Sequence, residues 1–293
     1  MTPPPDPLAV PPPTPYLFVI IVNYRTAELV VDCLASLFSI STLPGNSTVI
    51  VADSNSGDAS VEILQRAIRA NGWDDRALVL PLGVNGGFSY ANNRALEHAT
   101  ERFGAPQQVL FLNPDTVVRP QALKPLLDFM ENHPAAGIVG SRLEDPDGTP
   151  QVSSFRFPTA LGELESEAKF GTVSRLLNKW RIAHPPTETQ ERVDWVSGAA
   201  MLVRREVLDG IGLLDERYFL YYEEVDFCAR AAKAGWECWH VPQSRIVHLV
   251  GCSTGVTRRR VPVRRPAYWF RSRRRFFTTH HGRAYAVLAD AAW

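Results

Sequence analysis

Val109-Leu-Phe-Leu-Asn-Pro-Asp115 decides how the chain is read. Its four apolar residues predict a buried strand, and Asn-Pro-Asp must end it, because proline removes a donor and fixes φ. Pro120, Ala122 and Leu123 then predict the start of a helix. A carboxylate at the C-terminal end of a buried strand in an alternating β/α chain lies where such sheets bind ligands. Asp115 is therefore the first candidate for handling a metal or a phosphate, and capping the turn before Pro120 is the plain alternative.

Upstream, Leu17–Val22 and Thr48–Ala52 predict two more buried strands and Leu78–Leu80 a short third. Helices are expected over 28–38, from about Val61 after an Asp58 cap, and over 90–102. The alternation predicts an α/β fold built on a doubly wound, parallel sheet with right-handed crossovers. Downstream, strands are expected at 137–140, 200–203, 238–241 and 246–249. A hairpin is expected at the Glu144–Gly148 turn, helices over 205–211 and 223–234, and a weaker helix over 161–180.

The 293 residues carry 31 basic and 31 acidic side chains, but ten arginines and a single acid, Asp290, lie between Thr257 and Trp293. That segment, with Trp269, Phe270, Phe276 and Phe277, is amphipathic if helical and suits an anionic membrane or a lipid diphosphate. No nucleic-acid reading module accompanies it. Residues 1–15 hold eight prolines and predict a flexible leader. Four cysteines without CxxC spacing fit a reducing, cytoplasmic setting, and no apolar run reaches membrane-spanning length.

Three turns follow consecutive strands and share one sheet edge. Asp53 can accept from a base or a ribose hydroxyl, or simply form an Asx turn. Gly83, Gly86 and Gly87 allow a backbone to approach a ligand, but this is neither a P-loop nor a dinucleotide fingerprint. Asn92 and Asn93 could reach the same ligand. His248, at the end of a strand, is a possible second metal ligand beside Asp115, or a structural histidine. Glu223, Glu224 and Asp226 head a helix after Tyr218, Phe219, Tyr221 and Tyr222. They favour the helix dipole, and aromatic walls would also raise a carboxyl pKa as a general base requires.

Ile20–Tyr24, Asp53–Ser60, Asn85–Phe88 with Asn92-Asn93, Leu112–Asp115, Trp195–Ala200, Asp215–Phe219, Tyr222–Asp226 with Arg230, and His248 occur in an order that resembles family 2 glycosyltransferases of the GT-A fold, close to the bacterial rhamnosyltransferase-like branch. The resemblance covers roughly residues 17–255. It implies a mostly parallel sheet with a small antiparallel part, divided into a nucleotide-binding half (16–118) and an acceptor or catalytic half (119–255), followed by the arginine-rich segment (256–293). It implies an inverting transfer from a nucleotide-diphosphate sugar, dTDP-L-rhamnose above all, to a saccharide or lipid-linked acceptor, with a UDP-hexose as the alternative donor. Asn23, Tyr24, Arg25, Asp53, Asn55, Gly86, Gly87, Phe88, Asn92, Asn93, Asn113 and Asp115 would bind the donor, and Trp195, Ser197 and Gly198 would border the sugar or acceptor. Mg²⁺ or Mn²⁺ would sit on Asp115 and His248. Asn113 departs from the family's acid-x-acid metal motif. Glu224 occupies the base position, where many relatives carry Asp, and Glu223 or Asp226 remain alternatives. A sugar nucleotidyltransferase fits less well, since the first strand lacks a glycine-rich basic turn. A non-catalytic relative has only Asn113 in its favour.

Overall fold

The chain begins its first strand with LFVIIVN, β1 (Leu17–Asn23), in which every residue is buried. Leu17, Val19 and Ile21 face one apolar core, while Phe18, Ile20 and Val22 face another. A strand buried on both faces is the signature of a sheet covered by helices on both sides. The computed structural model describes residues 16–39, 43–168, 175–249 and 265–293. The proline-rich leader, Cys252 and the arginines at 258–264 lie outside those residues.

β2 (Ser47–Asp53), β3 (Ala77–Pro81) and β4 (Gln108–Leu112) join β1 in parallel, in the order β3-β2-β1-β4. The crossovers are α1 (Ala27–Phe38), α2 (Ser60–Ala70) and α3 (Phe88–Phe103). This is the expected doubly wound half. β5 (Thr116–Val118) was not expected, and it forms by pairing antiparallel to a strand far along the chain. Consequently α4 (Leu123–Asn132) starts after Pro120 rather than at it.

Past α4 the sheet becomes mixed. β6 (Ala136–Glu144) runs parallel to β11 (Glu237–His248), and β10 (Ala200–Arg204) lies antiparallel between β4 and β6. The two short strands expected at 238–241 and 246–249 are one strand, β11. Its pairing with β6 shifts between Val241 and Arg245, where Pro242 cannot donate to the ladder. β8 (Glu191–Val193) adds to β11, while β7 (Ser154–Phe155) and β9 (Trp195–Val196) form a separate two-stranded ladder. The turn at Glu144–Gly148 closes through a Gly148 N–H to Asp145 carbonyl bond of 2.9 Å. The expected hairpin stops at one bridge, Glu144 to Pro150, because proline offers no N–H.

Helices α5 (Ala160–Ala168), α6 (Arg205–Ile211), α7 (Glu223–Lys233), α8 (Ala267–His281) and α9 (Arg283–Ala292) follow. A third apolar cluster joins α5, α7, α8 and α9 through Ala160, Val225, Phe276, Phe277 and Ala289. Arg273 of α8 is buried and bonds both Glu163 of α5 and Asp290 of α9. Arg275 pairs with Asp215 at 3.3 Å. The arginine-rich segment therefore turns Arg273 and Arg275 inward, against the expectation that it presents its arginines to an anionic surface; Arg271 and Arg274 are exposed. Burying a charge is costly unless it is paired, and here two acids pair it.

Candidate active site

The site is assembled by strand ends. β10 runs opposite to β4, so its start meets the end of β4, and the Asn113 N–H donates to the Ala199 carbonyl at 2.9 Å. Ser197-Gly198 thereby lies beside Asn113-Pro-Asp115. β11 pairs with β5 so that His248 faces Thr116, which brings His248 Nε2 to 3.6 Å from Asp115 Oδ1. Residues separated by 133 positions become neighbours through one antiparallel pairing that local pattern does not reveal (248 − 115).

At the ends of β1 and β2, Asn23 Nδ2 donates to Asp53 Oδ1 at 2.6 Å and to Ser56 Oγ at 3.2 Å. Ser56 donates to Asp53 through its hydroxyl at 2.6 Å and its N–H at 3.0 Å. Both Asp53 oxygens thus organise the loop, the Asx-turn reading. Arg25 N–H and Nε each donate to Ser56 at 2.9 Å, and Arg25 and Asn55 take positive φ. Ser56 is a structural centre that the sequence reading passed over within the Asp53–Ser60 motif.

A cavity of about 340 Å³ opens beside this turn, lined by Val22, Tyr24, Ser54, Asn85, Asn113 and Tyr268 among others. Gly87 and Phe88 also face it. Gly87 has φ +90°, and a Cβ there would lie 2.2 Å from the Phe219 carbonyl oxygen. Phe88 N–H donates to that oxygen at 2.8 Å, so the glycine loop is stitched to the segment ahead of α7. Gly86 packs against Tyr90. Asn92 is buried, with its amide on the Phe88 carbonyl and its Oδ1 lacking a hydrogen-bond partner among the described residues. Asn93 points elsewhere. It exchanges hydrogen bonds with the Leu214 backbone and donates to Glu216, clamping the segment before Asp215.

A second cavity, about 520 Å³, adjoins α7 and is lined by Glu224, Trp195, Tyr221, Tyr222, Arg265 and Trp269 among others. Trp195 stacks on Phe155 at 4.0 Å, and its indole N–H donates to the Arg156 carbonyl. Gly198 lies beside the Glu224 side chain, which a Cβ added there would meet in ordinary van der Waals contact at 3.6 Å. Burial raises the Glu224 pKa, although backbone N–H groups of Glu224, Val225 and Gly198 pull it partly back. Burial and repulsion from Glu224 push Glu223 well up. Each has an Oε2 without a hydrogen-bond partner among the described residues. Asp226 differs. Burial acts to raise it, yet His280 and Arg230 hold it below the ordinary carboxylate value. Its oxygens accept from His280 at 2.8 Å, Arg230 at 2.8 Å and Tyr218 at 3.3 Å.

Residues 18–211 match the model of glycosyl transferase family 2. The chain belongs to glycosyltransferase family 2. It is 31% identical to an N-acetylglucosaminyl-diphospho-decaprenol L-rhamnosyltransferase of Mycobacterium tuberculosis, over 94% of this chain and 85% of the relative. It is 27% identical to rhamnosyltransferase WbbL of Escherichia coli K12, over 55% of this chain and 60% of that protein. A mannosyltransferase of Pyrobaculum calidifontis solved with GDP-Man and Mn²⁺ superposes with a TM-score of 0.58 at 16% identity, covering 97% of this chain and 76% of that one. This and a TarS structure of S. aureus (TM-score 0.55, 16% identity, covering 92% of this chain and 41% of that one) identify the GT-A fold.

In this rhamnosyltransferase-like family 2 enzyme, the two cavities just described lie on either side of the 219–222 turn: Phe219 and Leu220 line the first, Tyr221 and Tyr222 the second. Among the described residues no group of three His, Cys, Asp or Glu could hold a metal. Asp115 and His248 nevertheless offer one hard oxygen and one imidazole on the scale of a single cation, a donor set that fits Mg²⁺ or Mn²⁺ with further ligands from a diphosphate and water. The reading from sequence missed Tyr268, Pro266 and Trp269 as cavity walls. Their only signal was the aromatic interleaving of the arginine-rich segment.

Proposed function

We propose that this glycosyltransferase moves L-rhamnose from dTDP-L-rhamnose to a hydroxyl of a saccharide carried on a lipid diphosphate, with inversion at the anomeric carbon. The observation that carries the reading is Glu224. It is a carboxylate lifted by burial, with one oxygen unpartnered among the described residues, at the wall of an aromatic cavity. The similarity to a mycobacterial L-rhamnosyltransferase over most of both chains supports the sugar and the acceptor.

In this reading Glu224 takes the proton of the acceptor hydroxyl as its oxygen attacks the anomeric carbon from the face opposite the diphosphate. Burial and the neighbouring Glu224 disfavour the charged form of Glu223. Asp226 is a positioning residue, because its oxygens are already engaged by His280, Arg230 and Tyr218. The loops at Asn23, Tyr24, Arg25, Asp53 and Asn55 hold the nucleotide, with Gly86, Gly87, Phe88, Asn92 and Asn113 about the sugar diphosphate. Asn93 supports the fold of that wall instead of touching donor. Trp195, Ser197 and Gly198 border the acceptor. A divalent cation held by Asp115 and His248 would neutralise charge on the departing diphosphate. The work is cytoplasmic, at the inner face of a membrane. Residues 16–118 serve the nucleotide, 119–255 the acceptor and catalysis, and 256–293 form the arginine-rich amphipathic C-terminal segment.

The test is turnover with dTDP-L-rhamnose and UDP-hexoses against a synthetic N-acetylglucosaminyl-diphosphate lipid. Transfer from dTDP-L-rhamnose with release of dTDP is expected, and pyrophosphate release from dTTP and a sugar 1-phosphate would instead mark a nucleotidyltransferase. Glu224→Gln should lower kcat by about 10²- to 10⁴-fold while donor affinity holds. A variant that keeps near-normal kcat would remove Glu224 as the base.

A further inference from the structure

Helix α8 lies outside the residues matched by the family model, yet its first turn reaches both cavities. Tyr268 lines the 340 Å³ cavity beside Asn113 and Ser54. Its neighbour Trp269, with Arg265 and Pro266, lines the 520 Å³ cavity that contains Glu224. Successive residues on a helix point about 100° apart, so one turn can serve two chambers. The turn between the chambers is bound to the same helix. Tyr268 packs on Phe219 and Tyr221 at ring distances of 5.6 and 6.1 Å, and Trp269 meets Tyr222 edge-on at 5.8 Å. Ser272 Oγ donates to the Leu220 carbonyl at 3.1 Å. Tyr221 and Tyr222 hold φ values of 69° and 68°, which residues with side chains rarely adopt. The Arg265 guanidinium sits over the Trp269 ring at 4.2 Å and places a cation at the rim of the second chamber.

We propose that this turn is a divided binding wall, in which Tyr268 contacts the nucleotide-sugar donor while Trp269 and Arg265 select the acceptor. The acceptor class that fits is a saccharide bearing an anionic phosphate. An indole presents a flat apolar face to the C–H side of a sugar ring, and a guanidinium matches phosphate oxygens. The proposal rests on the reading of the two cavities as donor and acceptor sites.

Calorimetry on the full chain separates the roles, with dTDP-L-rhamnose and Mn²⁺ as one probe and a short-chain N-acetylglucosaminyl-diphosphate lipid as the other. Tyr268→Leu and Trp269→Leu keep apolar bulk but delete the ring face. If either fails to fold by circular dichroism, Tyr268→Met or Trp269→Met, which also lacks a ring, replaces it. Tyr268→Leu should weaken the donor about 3- to 10-fold and leave the acceptor analogue within about twofold, and Trp269→Leu should do the reverse. Arg265→Gln should weaken the diphosphate analogue but not the same saccharide without phosphate. Variants that shift both affinities together, or neither, overturn the divided wall. A wild-type chain that binds neither probe instead overturns the functional reading beneath it.

Discussion

Two adjacent glutamates and an aspartate head the same helix, and their surroundings give them different chemistry. Asp226 is paired with Arg230 and hydrogen-bonded to His280, which holds it as an anion in a structural network. Glu223 and Glu224 have no cation among the described ion pairs, and burial favours their protonated forms. A base must be ionised to act, so activity is lost as pH falls through a raised Glu224 pKa. The acidic limb of kcat/KM should therefore lie above the ordinary glutamate value of about 4.3. The sign for stability is opposite. Protonated acids are the forms the fold prefers, so this stabilisation is present at low pH and fades as pH rises through the raised values. A pH–rate profile whose acidic limb sits at or below the ordinary value would show that Glu224 is not the titrating base.

At the scale of elements, α8 is the strut of the catalytic side. Through Arg273 it ties α5 to α9, and through His280 it holds the first turn of α7. Removing one partner of a buried ionic cluster leaves the others uncompensated. Arg273→Ala should cost about 3–5 kcal/mol in urea unfolding, because Glu163 and Asp290 lose their shared cation. The same substitution should also lower kcat, since the head of α7 depends on α8 through His280. An unfolding midpoint within error of wild type would show that the cluster is not structural.

Across the whole molecule, the antiparallel pairings of β10 and β11 converge the Asn113 turn, Gly198, Glu224 and His248 on one sheet edge. With no third His, Cys, Asp or Glu grouped with Asp115 and His248 among the described residues, metal affinity should depend strongly on the diphosphate. EDTA should weaken dTDP binding about tenfold or more, and Asp115→Ala should abolish that difference; equal affinity with and without EDTA would rule the metal out. No helix among the described residues is long and apolar enough to cross a membrane. Exposed Val287 and Leu288 on α9, with exposed Arg271 and Arg274 on α8, suit peripheral contact with an anionic bilayer. Flotation with phosphatidylglycerol vesicles at low salt should carry the chain to the lipid fraction, and failure to float would discard the membrane contact.

Local pattern determined the parallel half of this protein. β-branched runs such as Leu17–Val22 cannot be solvated on either face, and the helical spacing between them leaves one way to cover both. The turns that follow those strands, at Asn23, Asp53, Gly87 and Asp115, were legible for the same reason, since strand ends fix where a sheet can bind. What only the tertiary structure decided involves pairing at long range. β5 exists because β11 pairs with it, His248 reaches Asp115 through that pairing, and Asp226 differs from Glu224 because α8 supplies His280. Tyr268 and Trp269 became walls of two cavities, and Arg273 turned inward, because three helices close over the head of α7. A side chain's local sequence carries no record of a partner 50 or 130 residues away, so periodicity located the elements while burial and pairing assigned the chemistry.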